Sequence, residues 1–402
     1  VKFRAVLALI VLASCSRSEH APEKASPSKL PADIVNERSS LVDITHGATF
    51  VSRTAEAMLS TSAVSMIDGE IETFWTPPAH DYPQSFVIAL AAPSRIDRVG
   101  FRSLTALHFE ANHVNFERSL DGANWQPLAA MTTRHVNEAQ WINVGPSEAA
   151  YLRVTIPDAA YPDHDARIES LLAHGTELAA PKNAAIDGCW SINGGAAKFV
   201  QHGARVTGVV EQDKQPLFLA GGTNGRIWRF NWIRGNDYGY TVLTASPDGK
   251  HLSAMNWHEE AIPLFIAFPW FGDRGDCAAT PPRDDVPIAL MHRAGRVSLF
   301  ALQFDGNGNL LADASRDELQ SLVAIIRSVP VPLRIVAREF RQDAKGNKEL
   351  AEREIASVRA ALANVDLSRV EFVAAGSDSP RQVPESDAAR AIYSSVEVEV
   401  RR

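Results

Sequence analysis

The chain has 402 residues, with 48 Asp plus Glu against 40 Lys plus Arg and a formal net charge of −8. Mild acidity without a basic cluster argues against nucleic acid as a partner. Hydrophobic residues make up 45% of the chain, and that content over this length supports a multidomain protein with two or three cores.

Lys2 and Arg4 precede an unbroken apolar run from Ala5 to Ala13. That run is too short to span a bilayer and has the form of a secretory signal. Val1 in first place suggests a non-AUG start codon, a bacterial habit. Leu12-Ala13-Ser14-Cys15 resembles the bacterial lipobox, which is cleaved before its cysteine. The resemblance implies that Cys15 carries lipid and anchors the protein in the outer membrane, facing the periplasm. Several acyl chains, at about 0.8 kcal/mol per buried CH₂, make such an anchor durable. An ordinary signal peptide with a chance cysteine is the alternative. Residues 16–40 lack apolar period and are rich in Pro, Ser and charge, as a flexible tether is. Cys189 and Cys277 remain. Outside the cytoplasm they are most simply a disulfide, with two buried thiols as the alternative.

Residues 41–177 carry short alternating segments, among them Ser85–Leu90, Val114–Ser119 and Tyr151–Ile156. Asp121-Gly122 supplies a hairpin signal. Such strands without intervening helices predict an all-β sandwich. "MIDGEIETFW" (Met66–Trp75), "ERSLDGANWQPL" (Glu117–Leu128), "AAYLRVTI" (Ala149–Ile156) and "RIESLLAHG" (Arg167–Gly175) follow in that order. Together they resemble the discoidin domain, the C-terminal module of coagulation factors 5 and 8, which bacteria use for carbohydrate binding. The resemblance implies a jelly-roll sandwich with Trp75 and Trp125 in its core. It also implies a structural Ca²⁺ on Asp68, Thr73 and Glu169, whose hard oxygens suit that ion. The alternative is that Asp68 closes a turn and Glu169 is solvated. His80, Tyr82, His108, Asn112 and His113 fall on loops where a sugar site would find rings and polar groups. Each taken singly is as consistent with an ordinary surface residue. "PDHDARIE" (Pro162–Glu169) reads as a further sandwich loop.

Residues 178–285 alternate strand-length segments with Gly-Gly, Gly-Asn and Asp-Gly, the pattern of a β-meander or small barrel. A Cys189–Cys277 bridge would join its first strand to its last. Trp190, Trp228, Trp232 and Trp257 are expected in its core. His258-Glu259-Glu260-Ala261-Ile262 lacks the second histidine of a zinc protease motif.

Residues 286–402 change pattern. Arg296–Phe304 alternates as a strand, and Ser315 with Glu318 forms a capping box for a helix. That helix shows Leu319, Leu322, Val323 and Ile326 on one face. Leu333–Glu339 is a strand, and a second helix carries Ala351, Ile355, Val358 and Leu362. Val370–Ala374 and Val396–Val400 complete a β-α-β-α-β-β order, an α/β sandwich. This order, with "FDGNGNLLADASRDELQSLVAII", "NKELAEREIASV" and "RAIYSSVEV", resembles the peptidoglycan-binding OmpA-like domain. The resemblance puts the family's ligand-gripping positions at Glu339, Asn347 and Glu354. Glu354 stands where the family has an arginine, so the donor fork a carboxylate needs is gone. Arg338, Arg341 and Arg353 are candidate replacements.

No nucleophile elbow, phosphate loop or dinucleotide fingerprint is present, so a non-catalytic role is expected. Two functions compete. One is an envelope lipoprotein that binds carbohydrate and associates with peptidoglycan. The other is a structural or assembly protein that contacts outer-membrane proteins and takes no glycan.

Overall fold

The structure is a computed structural model. It describes residues 40–54, 61–70, 73–78, 80–104, 108–161, 163–181, 185–212, 215–259, 268–340, 343–378 and 387–401. Cys15, the tether up to residue 39, Arg341 and residues 260–262 lie outside the described residues. Among the described residues, no helix is long and apolar enough to cross a membrane.

Six strands form the first unit: β1 (Thr49–Arg53), β2 (Gln84–Ser103), β3 (His113–Ser119), β4 (Gln126–Thr132), β5 (Gln140–Ile156) and β6 (Ile168–Glu177). Their order is β1-β2-β5-β3-β4, with β6 also on β2. β2 and β5 are long enough to serve two layers. Register breaks between Ala89 and Ser94 and between Ile96 and Arg98 mark where they turn. The first half of β2 pairs with β1 and the second half with β6. This is how strands pass between packed layers. Phe86, Ile88, Val99, Phe101, Val154 and Leu171 alternate inward to the core. Trp75 is fully buried, edge-on to Phe86 at 4.8 Å between ring centres. Trp125 departs from expectation. It is half-buried, its ring covered by the Arg153 guanidinium at 4.5 Å. Arg153 is itself held by Glu117 at 2.5 and 2.6 Å, so a charged pair, not the core, lies over this ring.

The second unit is a closed barrel of eight strands. They are β7 (Gly188–Ile192), β8 (Gly195–His202), β9 (Arg205–Gln212), β10 (Gln215–Thr223), β11 (Trp228–Arg234), β12 (Asp237–Ala245), β13 (His251–His258) and β14 (Phe268–Arg274). β14 closes on β7, and the Cys189–Cys277 disulfide fastens β7 to the segment after β14. Trp190, Phe199, Phe230, Trp232, Leu243 and Trp270 fill the interior. The next residues along β12, β13 and β14 face out, yet Val242, Met255 and Phe271 join the core cluster of the sandwich. Trp257 and Tyr240 do the same. These strands are therefore apolar on both faces, and alternation is lost because both sides are covered.

The last unit runs α1 (Val286–Ala294), β15 (Arg296–Ser298), α2 (Arg316–Ser328), β16 (Leu333–Arg338), α3 (Ala344–Ala361), β17 (Val370–Gly376), α4 (Asp387–Tyr393) and β18 (Ser395–Val400). The sheet order is β15-β18-β16-β17, with only β16 and β17 parallel. Three local expectations fail. The strand from Arg296 stops at Ser298, because Asn231 of the barrel takes the Ser298 backbone in two hydrogen bonds, at 2.7 and 3.1 Å. The capping box does not form. Ser315 Oγ instead accepts the Gln303 N–H at 2.8 Å, and Glu318 is buried beside Arg205 of the barrel. The buried face of α2 is accordingly Glu318, Leu322, Ile325 and Ile326, with Leu319 and Val323 at its rim. Gly222 of the barrel lies so close to Ala301 that a Cβ would stand 2.5 Å from its Cα.

Candidate functional site

One segment of the sandwich, residues 157–161 and 163–167, organises the loop end. Its backbone is laced to residues 109–112. Ala160 and Arg167 N–H groups donate to the Glu110 and Phe109 carbonyls, and the Asn112 N–H donates to Asp158 O. Each of the five loop residues expected from sequence contacts this segment, at different positions along it. Asp158 accepts from the His113 N–H at 3.1 Å and lies 3.0 Å from the His113 ring. It also accepts from the Asn112 amide at 3.2 Å. Asp165 accepts from the His80 N–H at 2.7 Å and stands 3.1 Å from its ring. The Tyr82 hydroxyl accepts the Ala166 N–H at 2.8 Å, and burial pushes its pKa up to about 12. His108 packs on Tyr161, with ring centres 4.3 Å apart. His80 and His108 both have positive φ, at 56° and 65°, uncommon for residues with a Cβ. Tyr82 is less a surface group than expected, since its ring packs on the core.

Two residues of this end went unnoticed in sequence. Glu110 is buried, and its Oε1 contacts Nδ1 of exposed His135. The only sequence signal was the His-x-Glu spacing of 108 and 110. His135 arrives from another loop, 25 positions on.

The proposed Ca²⁺ residues sit at the turn before Trp75. Asp68 is buried, with Oδ1 accepting the Glu70 N–H and Oδ2 accepting the Thr73 hydroxyl, both at 2.8 Å. The Thr73 hydroxyl also lies 3.3 and 3.2 Å from the Ser65 and Glu70 carbonyls. Burial raises the Asp68 carboxyl well above its ordinary range, and the charges of Glu70 and Asp43 add to the rise. Glu169 is buried on β6, one residue beyond the Ile168–Trp75 bridge.

A second concavity, of about 650 Å³, lies where the three units meet. Glu339 and Glu354 both line it, as do Arg229, Arg390, His46 and Phe340. Asn347 is buried on α3, outside that lining. Of the replacement arginines named from sequence, Arg341 lies outside the described residues and the other two do not line the cavity. Arg338 is buried against Glu397 at 2.7 Å and Glu399 at 2.8 Å, and Arg353 donates to the Asn307 carbonyl at 2.7 Å. Among the described residues, the guanidinium-bearing residues that line this cavity are Arg229, from the barrel, and Arg390, from α4.

Residues 50–171 match the model of the F5/8 type C domain. The chain carries an F5/8 type C domain. No curated protein matches the chain. Solved structures similar to it include the C-terminal domain of a chitobiase from Bacteroides fragilis. That likeness is 26% identical and covers 34% of this chain and 97% of that one, with a TM-score of 0.31. CBM32-3 from a family 31 glycoside hydrolase of Clostridium perfringens is 18% identical, covering 33% of this chain and 93% of its own, with a TM-score of 0.30. The family 32 carbohydrate-binding module of Streptococcus pneumoniae EndoD is 16% identical, covering 34% and 100%, with a TM-score of 0.30. Within the F5/8 type C domain of this chain, the segment of residues 157–161 and 163–167 is the common partner of the loop residues.

Proposed function

We propose that this chain is a non-catalytic cell-envelope lipoprotein whose F5/8 type C domain binds carbohydrate. Two carboxylates of one loop segment that fix polar side chains, Asp158 with Asn112 and His113 and Asp165 with His80, support this reading. Sugar sites need a few polar groups held in fixed positions beside ring faces. Here the carboxylates fix the imidazoles of His80 and His113, and Tyr161 supplies a ring on the same segment. The oxygen donors around Asp68 and Thr73 fit a Ca²⁺ ion, because a buried carboxylate among like charges calls for a hard cation. Asp68 and Thr73 would hold it, with Glu169 as the third residue the family resemblance supplies. Bound there, the ion would neutralise the turn and stiffen the chain leading to Trp75.

The envelope setting rests on the resemblance of residues 12–15 to the lipobox, with Cys15 anchoring the chain in the outer membrane. The Cys189–Cys277 disulfide agrees with an oxidising compartment. The β15-β18-β16-β17 order with its helices supports the OmpA-like reading of the last unit. The deciding experiment is a glycan array with the full chain and its His113→Ala variant. Reproducible sugar binding that falls at least tenfold in the variant is the expected result. Silence across wall and surface glycans would favour the rival role, a structural or assembly protein contacting outer-membrane proteins.

A further inference from the structure

We propose that His108, Glu110 and His135 form a binding site for one divalent transition-metal ion of the Zn²⁺ type. Their ligand atoms all lie within 4.8 Å of one another. Among the described residues, no other three His, Cys, Asp or Glu side chains come together in this way. Two imidazoles with one carboxylate make a borderline-soft donor set that suits Zn²⁺ and leaves Ca²⁺ and Mg²⁺ poorly served. Three protein ligands also leave a fourth tetrahedral position open. His108 and His135 are exposed, so solvent reaches the cluster.

A second observation points to a missing cation. Glu110 is 2% exposed, and its Oε2 is buried without a hydrogen-bond partner. A buried carboxylate oxygen left unpaired is costly, and a bound cation would satisfy it. A simple His135–Glu110 ion pair accounts for Oε1 alone.

Both ligand segments are held in place by groups that are not ligands. The Phe109 and Glu110 carbonyls accept from Arg167 and Ala160, at 2.8 and 2.9 Å. The Gln140 side chain clasps Arg134, beside His135, accepting from its N–H at 2.8 Å and donating to its carbonyl at 3.0 Å. The His108 ring lies between His135, at 5.5 Å, and Tyr161, at 4.3 Å. Its left-handed backbone is strain of the kind that collects at functional sites. The site stands on metal chemistry alone and does not depend on the glycan reading.

The test is Co²⁺ and Zn²⁺ titration of the full chain with excess Ca²⁺ present, using Cys15→Ser to remove a competing thiol. One Co²⁺ per chain should give the visible bands of a four-coordinate ion, and Zn²⁺ should displace it. His135→Gln and His108→Asn should each weaken Zn²⁺ binding at least tenfold, asparagine being chosen because it tolerates positive φ. No Co²⁺ band, or equal Zn²⁺ affinity in folded variants, overturns the proposal. If the variants do not fold, X-ray absorption of the unmutated Zn²⁺ complex decides. A shell with two imidazoles supports the site, and an all-oxygen shell overturns it.

Discussion

Arg226, on the turn between β10 and β11 of the barrel, grips Glu177 at the end of β6 with both guanidinium nitrogens, at 2.5 and 2.7 Å. The same guanidinium donates to the His46 carbonyl at 3.0 Å, so one side chain ties the barrel to both ends of the sandwich. The hydrogen bond from Arg226 is the main cause that lowers the Glu177 pKa. A depressed carboxyl stabilises the fold above its unfolded pKa, and that contribution is lost as pH falls through the folded value. Glu177→Gln should therefore cost about 1 to 3 kcal/mol at neutral pH and much less in acid. Urea unfolding of the full chain at several pH values measures this. A constant deficit across pH would refute the assignment.

Glu318 should behave in the opposite sense. Burial at the barrel contact raises its carboxyl to about 7, against the opposing charge of Arg205 at 3.6 Å. The folded state then holds a proton that the unfolded state has released, so stability falls as pH rises from the unfolded pKa through about 7. The loss amounts to about 3 to 4 kcal/mol, at roughly 1.4 kcal/mol per unit. Glu318→Gln should flatten that slope and leave the variant more stable than the parent at pH above about 8. An unchanged slope in thermal melts would show that another group titrates.

These two contacts also mark where sequence reading stops. The Asp121-Gly122 hairpin was legible because its chemistry is local. Asp121 Oδ1 accepts the Ala123 and Asn124 N–H groups, and Gly122 has φ of 73°. Helical period revealed most of α3, since Ala351, Ile355 and Val358 need only one covering sheet. Ser315 and Glu318 misled because residues from elsewhere claim both. β12 and β13 gave no alternation because partners far along the chain bury their outer faces. The Glu110–His135 contact needed the β3–β4 pairing, which sets His113 opposite Thr132 and so brings the two flanking loops side by side.

The Asp68 turn predicts a calcium effect. In chelator the carboxyl raised by burial keeps a proton in the folded state, so stability declines as pH rises through the raised pKa. Ca²⁺ needs the deprotonated form. Its affinity should therefore fall with falling pH, and at neutral pH it should raise the melting temperature by mass action. Asp68→Asn should erase that rise without erasing the fold. Identical melts in Ca²⁺ and chelator would remove this ion from the proposal.

The proposed membrane attachment is tested at Cys15. Cys15→Ser should abolish incorporation of a labelled fatty acid and move the protein out of the membrane fraction. Retention of the variant through high-salt washing would mean that another part of the chain holds it there.

The three-way cavity makes the sharpest claim about the cell wall. Glu339 and Glu354 share it with Arg229 and Arg390, so carboxylates and guanidiniums from different units line one space. On the proposed OmpA-like reading, Glu354 stands where that family has an arginine and so lacks the fork that a ligand carboxylate would take, and each charge-assisted hydrogen bond lost matters at about 1.5 to 3 kcal/mol. His46 of the sandwich and Arg229 of the barrel also form part of its wall, so a wall polymer would have to enter between the units. The full chain should not co-sediment with diaminopimelate-type peptidoglycan where an ordinary OmpA-like domain does. Glu339→Asp with Glu354→Arg restores the family's donor but leaves those walls standing. The double variant should therefore bind soluble wall peptide more tightly than the parent and still fail to sediment with whole sacculi. Sedimentation of the unaltered chain would mean that Arg390 or Arg229 supplies the missing donor and that the cavity opens to the wall.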